Sequence, residues 1–510
     1  MSQFSKPIDV PHSQHVEGVA LDCMDNSPQR VQVSLEQQKS IVHKFDRHLL
    51  PLLCVLYILS YLDRGNIGNA KIAGLQESLH LNDSDWSWVL NSFYLCYTVF
   101  EWTNLLWRLF PAHYYVAVLC ICWGAAAMCS GAVHNLGELI VCRCLLGIFE
   151  ASFGAGAPYF LSLFYQRHEL GLRVSVLLGM SPIANCFASA LAYGITQIRN
   201  GLEPWQYLFL IGECFYLLPV SLDSKKLRFN VEGAPTVIIS IVVFFFLPDS
   251  PGSAWFLDDQ QQRDAVGRLT AQDRTAKDRV HWKQVWSGLR DYKNYVHMII
   301  HFCCNYSFAG LSNFLPTLIE DMGYVSVHAQ GLTAPPYLGS FVCCLAAAFL
   351  SDRLGNRGLV VVGFSTIGLI GYLMLACVHD ANADGVRYAG IWLATCGVFP
   401  SLAINITWLL NNQGGDSKRG AGMAILAIFG QCSSFVSSSL FPATDAPNYT
   451  RGCAAGAGLT GLVVVLGAVL HCKLRLENAR RNRLYGRVSR EHAIDVTEAG
   501  DDDPNFRYIT

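Results

Sequence analysis

The sequence has few charged residues, and those it has are unevenly placed. Asp, Glu, Lys and Arg make up 15% of the 510 residues, whereas soluble proteins average about 25%. Residues 49–62, 116–133 and 236–247 contain no charge, while residues 260–293 are dense with it. A helix that crosses the roughly 30 Å of membrane hydrocarbon needs about 20 mostly apolar residues. The composition therefore predicts a polytopic membrane protein.

Signatures of enzymes and of nucleic-acid binding are missing. No GxxxxGK[ST] loop, nucleophile elbow or paired His and Glu for a metal is present, so we expect no enzyme activity, no cofactor and no metal. The formal net charge is −2, which gives no basic field for nucleic acid. Most of the 19 cysteines lie inside apolar runs. We interpret them as small buried hydrophobic residues and not as a disulfide framework.

A cleavable signal peptide is also missing, because the first 45 residues are polar. We divide the chain into an N-terminal tail (1–45), a six-helix bundle (46–248), a central loop (249–294), a second six-helix bundle (295–474) and a C-terminal tail (475–510). The predicted fold is all-α, with twelve membrane helices in two halves. These helices lie at about 48–70, 86–107, 112–133, 137–163, 172–198, 205–247, 295–319, 328–350, 358–379, 387–411, 420–442 and 453–473.

Basic residues set the expected orientation. They are concentrated in both tails, in the central loop and in the loops of the same side, whereas the opposite loops hold only Lys71, Arg199, Arg387 and Arg451. By the positive-inside rule both termini are cytoplasmic. The basic C-terminal tail is a topology anchor, or alternatively binds lipid headgroups. Two predicted outer loops contain N-x-[ST] sequons, at Asn82 and Asn448, which are candidate glycosylation sites.

A few ionisable residues fall inside predicted membrane helices, where each costs roughly 2.5–3.5 kcal/mol on insertion scales. Asp63 and Arg64 lie in the first helix, Glu101 ends the second, and Arg143 and Glu150 share one face of the fourth. As a functional site, Arg64 and Arg143 would face a central cavity and bind an anion, with Asp63 and Glu150 as proton carriers. Structural salt bridges between helices are the alternative, and Glu101 is a candidate gate residue.

Amide and aromatic residues in predicted helices form a second candidate group. Asn405 and Trp408 share one face of the tenth helix with Asn411 and Asn412. Asn91 in the second helix and Asn305 in the seventh are further candidates for substrate contact. Hydrogen bonding between helices explains such residues equally well. The small residues Gly147, Gly154 and Gly156 of the fourth helix indicate close helix packing.

Several stretches resemble a known family of transporters. The loop SDRLGNRG at 351–358 is similar to the inter-helix loop motif of the major facilitator superfamily. LDRGNIGNA at 62–70, FE at 100–101, RCLLGIFEA at 143–151, FLPDSP at 246–251 and PPY at 335–337 resemble the fungal anion:cation symporter branch, which includes allantoate, nicotinate and pantothenate permeases. Trp102 after Glu101, and GAGA at 154–157, depart from the branch pattern.

The resemblance implies proton-coupled uptake of a small organic anion by a protein that is not an enzyme. It also implies that Arg64 and the Arg143/Glu150 pair form the charged site, and it makes Asp352 and Arg353 of the loop motif candidates for gating. We expect a monomer whose partners are the anion, protons and the lipid bilayer, with the plasma membrane as its location. Export of a fungal secondary metabolite is the alternative function, and a non-transporting nutrient receptor ranks third.

The sixth predicted helix departs from the branch by an insertion. Residues 212–231 separate two apolar pieces and contain Asp223, Lys225, Lys226 and Arg228, a charge cluster that hydrocarbon does not accept. Removing these 20 residues would rejoin one apolar helix. Their opening Gly-Glu-Cys can be encoded by a string that resembles a splice donor. We therefore suspect a retained intron, with a genuine polar loop as the alternative.

Overall fold

The computed structural model describes residues 35–166, 169–195, 203–212, 234–270, 282–324, 326–379, 383–486, 501, 503–504 and 506–510. Within these ranges every helix of nine residues or more is an α-helix. They are α1 (Leu35–Ala70), α2 (Asp83–Phe100), α3 (Ala112–Cys129), α4 (Leu136–Leu161), α5 (Leu170–Ile195), α6 (Pro204–Gly212), α7 (Ala234–Phe246), α8 (Asp259–Thr270), α9 (Trp282–Arg290), α10 (Tyr292–Glu320), α11 (Ser326–Leu354), α12 (Arg357–Cys377), α13 (Asp384–Asn411), α14 (Asp416–Leu440) and α15 (Thr450–Tyr485).

The described residues contain helices for twelve membrane crossings, the number that the sequence predicts. In the described part of the chain, nine helices are long and apolar enough to cross a membrane, namely α1, α3, α4, α5 and α11 to α15. The other three crossings are α2, which continues as a 3₁₀ helix over Glu101–Arg108, the polar helix α10, and the pair α6 and α7. Helix α10 is less apolar because it carries buried His297, His301 and Asn305.

The sixth crossing is divided between α6 and α7. Helix α6 packs beside the end of α3, and α7 packs along α3 itself. The suspected insertion at 212–231 lies outside the described residues, except for Gly212, which ends α6. The sequence predicts one helix over 205–247, whereas the described residues form two short ones.

Two halves are formed by α1 to α7 and by α10 to α15. They meet where α5 packs along α11 and where α2 packs along α14. Within the second half, α12 packs against α13 so closely that a Cβ atom at Gly397 would overlap the backbone of Gly368. Small residues permit this approach of two helix backbones in a membrane, where packing and not water exclusion drives association.

The bundle has two ends, which we call the tail side and the sequon side. The tail side is the end at which α1 begins and α15 ends, and the sequon side is the opposite end, which carries Asn82 and Asn448. On the tail side α1 begins at Leu35, earlier than predicted, because Phe45 packs edge-on against Phe164 and Phe256. Helix α15 continues to Tyr485, beyond the apolar stretch. The predicted tails 1–45 and 475–510 therefore each contribute helix to the folded bundle.

The last described residues of the chain fold back onto the second half. Phe506 is fully buried. The backbone of Tyr508 exchanges two hydrogen bonds with the Asn478 amide, at 2.7 and 2.9 Å. The Ile509 carbonyl accepts hydrogen bonds from Trp408 and Asn412, both at 2.8 Å. This segment, residues 506–510, therefore joins α13 and α15 on the tail side.

Asp501 adds an ionic contact to the same region. Its carboxylate binds the ammonium groups of Lys293 at 2.7 Å and Lys418 at 2.6 Å, and Asp291 also contacts both lysines. Burial alone would raise the pKa of Asp501, but the two lysines more than offset it and lower that pKa to about 2. These four charged residues link the first turns of α10 and α14 to the C-terminal tail.

Candidate functional site

Arg64 and Glu150 form a buried ion pair between α1 and α4. The Nε atom of Arg64 lies 2.5 Å from Oε2 of Glu150, and the Glu150 side chain is completely buried. Arg64 was expected to bind a substrate anion and Glu150 to carry a proton, with salt bridges between helices as the alternative. The structure forms such a salt bridge between α1 and α4, and the roles of Arg64 in anion binding and of Glu150 in proton transfer stay predictions.

Three aromatic rings surround the Arg64 guanidinium. Its central carbon lies 4.7 Å from the centroid of Tyr61, 5.4 Å from Phe93 and 4.6 Å from Tyr97. Such contacts stabilise a desolvated cation. Gly154 makes room for this cage, because a Cβ atom there would collide with the Tyr97 hydroxyl. The guanidinium is thus held in one position by rings on α1 and α2.

Parts of this ion pair keep unused hydrogen-bonding capacity. Nη2 of Arg64 and Oε1 of Glu150 are buried, and neither atom has a hydrogen-bond partner among the described residues. Nε of Arg143 is also buried without such a partner, and the charges of Glu150 and Asp63 act on this guanidinium. Buried donors normally find acceptors. The arrangement therefore has donors available for an additional anionic group.

A small central cavity of about 50 Å³ lies between the two halves, beside the ion pair. The first half lines it with Tyr57, Tyr61, Tyr97 and Glu101. The second half contributes His301, Asn305, Phe308 and Gln431. Arg64 is not itself in the lining but lies directly behind Tyr61 and Tyr97. In this conformation the cavity has room for only a few water molecules.

Glu101 and His301 face this cavity from opposite halves. Both are at least 94% buried, and Oε2 of Glu101 and Nδ1 of His301 have no hydrogen-bond partner in the described structure. Asn104 donates to the other Glu101 oxygen at 3.0 Å. Glu101 was expected to act as a gate residue, and its place in the cavity lining also allows contact with substrate.

Sequence reasoning missed His301, Tyr61, Tyr97 and Phe308. A signal was present, because His301, Asn305 and Phe308 have the spacing of one helix face, and so do Tyr57, Tyr61 and Arg64. Asn305 was predicted, and it lines the cavity while donating a hydrogen bond to the Gly430 carbonyl at 2.8 Å. These four were missed because a histidine, tyrosine or phenylalanine in a membrane helix is also common in ordinary helix packing.

Asn405 and Trp408 require a correction, because their polar groups are not at the cavity. Asn405 is fully buried and hydrogen bonded to the His297 ring at 2.8 Å. The Trp408 indole donates to the Ile509 carbonyl. Both side chains are therefore satisfied by contacts inside the second half, and we do not include them in the proposed substrate site.

Hydrogen bonds between the halves close the sequon side. Ser438 on α14 donates to Asn91 on α2 at 2.6 Å, and Asn313 on α10 donates to Tyr94 on α2 at 2.8 Å. Asn91, predicted as a substrate contact, thus bridges the two halves in this conformation. Both hydrogen bonds must break when the two halves separate on this side.

On the tail side the loop motif meets the other half. Asp352 pairs with Arg357 at 3.1 Å, and both side chains lie against Gly171 at the start of α5. Arg353 is exposed. A side chain at position 171 would overlap this ion pair, so the glycine permits the contact between the halves. This position suits the predicted gating role of Asp352.

The two sequons lie in turns at helix starts. Asn82 is exposed and caps α2, since its side-chain oxygen accepts from the Asp85 backbone at 2.8 Å. Asn448 is half-buried and precedes α15 by two residues. Glycosylation at either site stays a prediction.

Comparison with known proteins agrees with this architecture. The pattern that defines the Major Facilitator Superfamily matches residues 53–220 and 228–470. The chain is 30% identical to the major facilitator-type transporter hxnP of Emericella nidulans, covering 94% of each chain. It is 28% identical to the high-affinity nicotinic acid transporter of Saccharomyces cerevisiae, covering 92% of this chain and 85% of that relative.

Solved structures share the fold. The proton:xylose symporter XylE superposes with a TM-score of 0.62 at 14% identity, covering 84% of this chain and 95% of XylE. A major facilitator transporter, FucP, in its outward conformation gives a TM-score of 0.57 at 12% identity, covering 82% of this chain and 98% of FucP. At such identities the likeness concerns the fold alone. The predicted all-α fold with two six-helix halves is confirmed, and so is the resemblance to fungal transporters.

Proposed function

The chain belongs to the Major Facilitator Superfamily, and we propose that it imports a small organic anion together with protons. It is a multi-pass membrane protein and a transporter of small molecules, not an enzyme. The relative that transports nicotinic acid supports a carboxylate as the substrate class. We propose the plasma membrane as its location, a monomeric state, and cytoplasmic termini.

One observation carries the anion proposal: Arg64 is a buried cation whose Nη2 donor has no hydrogen-bond partner among the described residues. A guanidinium stays charged at any physiological pH and binds a carboxylate through two parallel hydrogen bonds. Glu150 uses only Nε, so the ring-held guanidinium retains a donor beside the central cavity. A substrate carboxylate can therefore take this position when the cavity opens.

Proton coupling follows from the competition between Glu150 and the substrate. Two carboxylates cannot both remain charged and close to Arg64 without strong repulsion. If Glu150 takes up a proton, it releases Arg64, and the substrate carboxylate replaces it with the same net charge in the site. One proton would then accompany each carboxylate. Asp63, whose charge acts on Arg143, is a second candidate proton carrier.

The second half contacts the rest of the substrate in this scheme. His301, Asn305 and Gln431 offer neutral polar groups, and Phe308 offers an aromatic face. Because the cavity holds about 50 Å³ here, binding requires that the halves separate along α5–α11 or α2–α14. Rocking of two such bundles about a central site is the usual mechanism of these folds.

The test is uptake of labelled carboxylates, nicotinate among them, into yeast that express the full chain, at acidic and at slightly alkaline external pH. Accumulation of one acid, stronger at acidic pH and abolished by a protonophore, supports the proposal. Cells without the chain provide the correction for passive entry of the uncharged acid, and a surface label confirms equal expression of the wild type and Arg64→Ala.

Two results would contradict the proposal. Uptake that Arg64→Ala cells retain in full would remove the anion site from Arg64. Faster loss of a preloaded compound, without uptake of any acid, would instead indicate the export function.

A further inference from the structure

A second, larger cavity lies on the tail side, away from the central cavity. It measures about 1140 Å³ and is bounded by α9, the first turns of α10 and α14, the part of α15 that follows its apolar stretch, and Asp501 and Tyr508. We call it the basic pocket. Its basic residues are Lys283, Arg290, Lys293, Lys418, Lys473 and Arg480.

The positive charge of the basic pocket is only partly neutralised. Lys293 and Lys418 are buried and bind Asp291 and Asp501. Lys283, Arg290 and Lys473 are exposed, and none of them forms an ion pair with the described residues. These three cations therefore supply an uncompensated field at the open part of the pocket, in a protein whose net charge is −2.

Exposed aromatic and apolar residues around the basic pocket indicate a membrane interface. Trp282 and Trp286 are 70% and 59% exposed and lie four residues apart, on one face of α9. Leu476 is 70% exposed on α15, one turn from Lys473. Trp is enriched where membrane meets water, and the basic residues of α9 lie beside these tryptophans on the same side of the helix.

We propose that the basic pocket binds the phosphorylated headgroup of an anionic phospholipid in the leaflet on the tail side. Basic pockets between membrane helices suit such headgroups, since phosphate oxygens accept from Lys and Arg. The exposed tryptophans and Leu476 then contact the acyl chains. A soluble anion would satisfy the lysines but would leave this apolar rim in water. The site does not depend on the substrate of the central cavity.

Binding of a fluorescent short-chain phosphatidylinositol bisphosphate to the detergent-purified full chain tests the proposal. Fluorescence anisotropy should report saturable binding that weakens as salt is added. The triple variant K283Q/R290Q/K473Q should lower the affinity about tenfold or more. Phosphatidylcholine should not compete, whereas unlabelled phosphatidylinositol bisphosphate and, more weakly, phosphatidylserine should.

A matched control removes the same charge elsewhere. Arg263, Arg475 and Arg483 are exposed and do not line the basic pocket, so R263Q/R475Q/R483Q should change the affinity by less than about twofold. All six positions are exposed, so both variants should elute as the wild type does in gel filtration. Equal affinity of the two triple variants would overturn the site. Competition by inositol trisphosphate as strong as by the lipid would overturn the lipid as its occupant.

Discussion

The two halves of the transporter differ in where they bury charge. The first half holds Arg64, Arg143 and Glu150 inside membrane helices, with Glu101 at the junction that ends α2. In the described part of the second half, charged residues of α10 to α14 lie in the first or last turn of their helices. The interior of that half is polar but neutral, with His301, Asn305 and Gln431 at the cavity.

This difference indicates that the two halves have separate roles in transport. Charge inside a membrane is retained only where it performs a function or is fully paired. The first half is therefore the candidate for anion binding and proton coupling, whereas the neutral second half is the candidate for recognising the remainder of the substrate. Four of the five predictions that follow alter one half and leave the other unchanged, and they run from the largest effect on transport to the smallest.

Replacing Arg64 should have the largest effect. Arg64→Ala removes the guanidinium held by Tyr61, Phe93 and Tyr97, so uptake should fall about a hundredfold or more, to background. Arg64→Lys should not restore it, because an ammonium lacks the two-donor geometry. Initial uptake rates at matched surface expression provide the measurement, and Arg451→Ala, at an exposed arginine, is the control. Activity in the lysine variant would contradict a bidentate site.

Glu150→Gln should separate exchange from accumulation. Gln mimics the protonated carboxyl, so the substrate can still bind Arg64, but no proton leaves with it. Proteoliposomes should therefore retain exchange of labelled for unlabelled substrate while they lose accumulation driven by a pH gradient. If gradient-driven accumulation persists in this variant, the proton is carried by Asp63 or by Glu101, and the coupling role of Glu150 is wrong.

His301→Asn should act on the second half alone. The change keeps a neutral polar side chain but removes the imidazole that faces the cavity. We expect KM to rise roughly tenfold or less, with the pH dependence of uptake retained. His379, which lies on the sequon side and contacts Thr450, is the control when changed to Asn. Loss of the pH dependence in His301→Asn would contradict the division between the halves.

Asp501→Asn should lower stability with little effect on transport. The Asp501 pKa of about 2 lies below its ordinary 3.8, so ionised Asp501 contributes about 2 kcal/mol to the free energy of unfolding. This contribution is complete above roughly pH 4 and is lost as the pH falls towards 2. Thermal unfolding in detergent should therefore show a melting temperature a few degrees lower at neutral pH.

The pH series sharpens this prediction. The difference between wild type and Asp501→Asn should stay constant from neutral pH to about pH 4 and then shrink. Asp258→Asn, at an exposed aspartate just before α8, should leave the melting temperature unchanged. A difference that vanishes already near neutral pH would mean that the lysine contacts of Asp501 do not form in solution.

The fold could be predicted from the sequence because hydrophobic length determines membrane crossings. The separation of apolar from charged stretches predicted twelve helices close to those described. The docking of residues 506–510 could not be predicted. That docking depends on Asn412 and Asn478, which lie far away in the sequence and close in space. The early start of α1 likewise rests on Phe45 and its long-range aromatic contacts.

Of the candidate site, the charged members and the neutral Asn305 could be predicted. Arg64 and Glu150 stand out in apolar helices, but their direct pairing requires knowledge of how α1 and α4 pack. His301 and Tyr97 were missed because a neutral polar or aromatic residue in a membrane helix has many explanations. Asn405 was predicted to contact the substrate, but its side chain is hydrogen bonded to His297 within the second half.

Deleting residues Gly212–Val231 should have the smallest effect on transport. It tests whether the last crossing of the first half can form one continuous helix, as α15 does in the second half. In the second half α15 is continuous, whereas α6 and α7 contain nine and thirteen residues. At 1.5 Å per residue their combined length is roughly 33 Å, which is one hydrocarbon thickness. The deletion should therefore join them into one helix and keep surface expression and uptake at wild-type level. Loss of folded protein would show that the segment is an integral loop, as would its presence in every transcript.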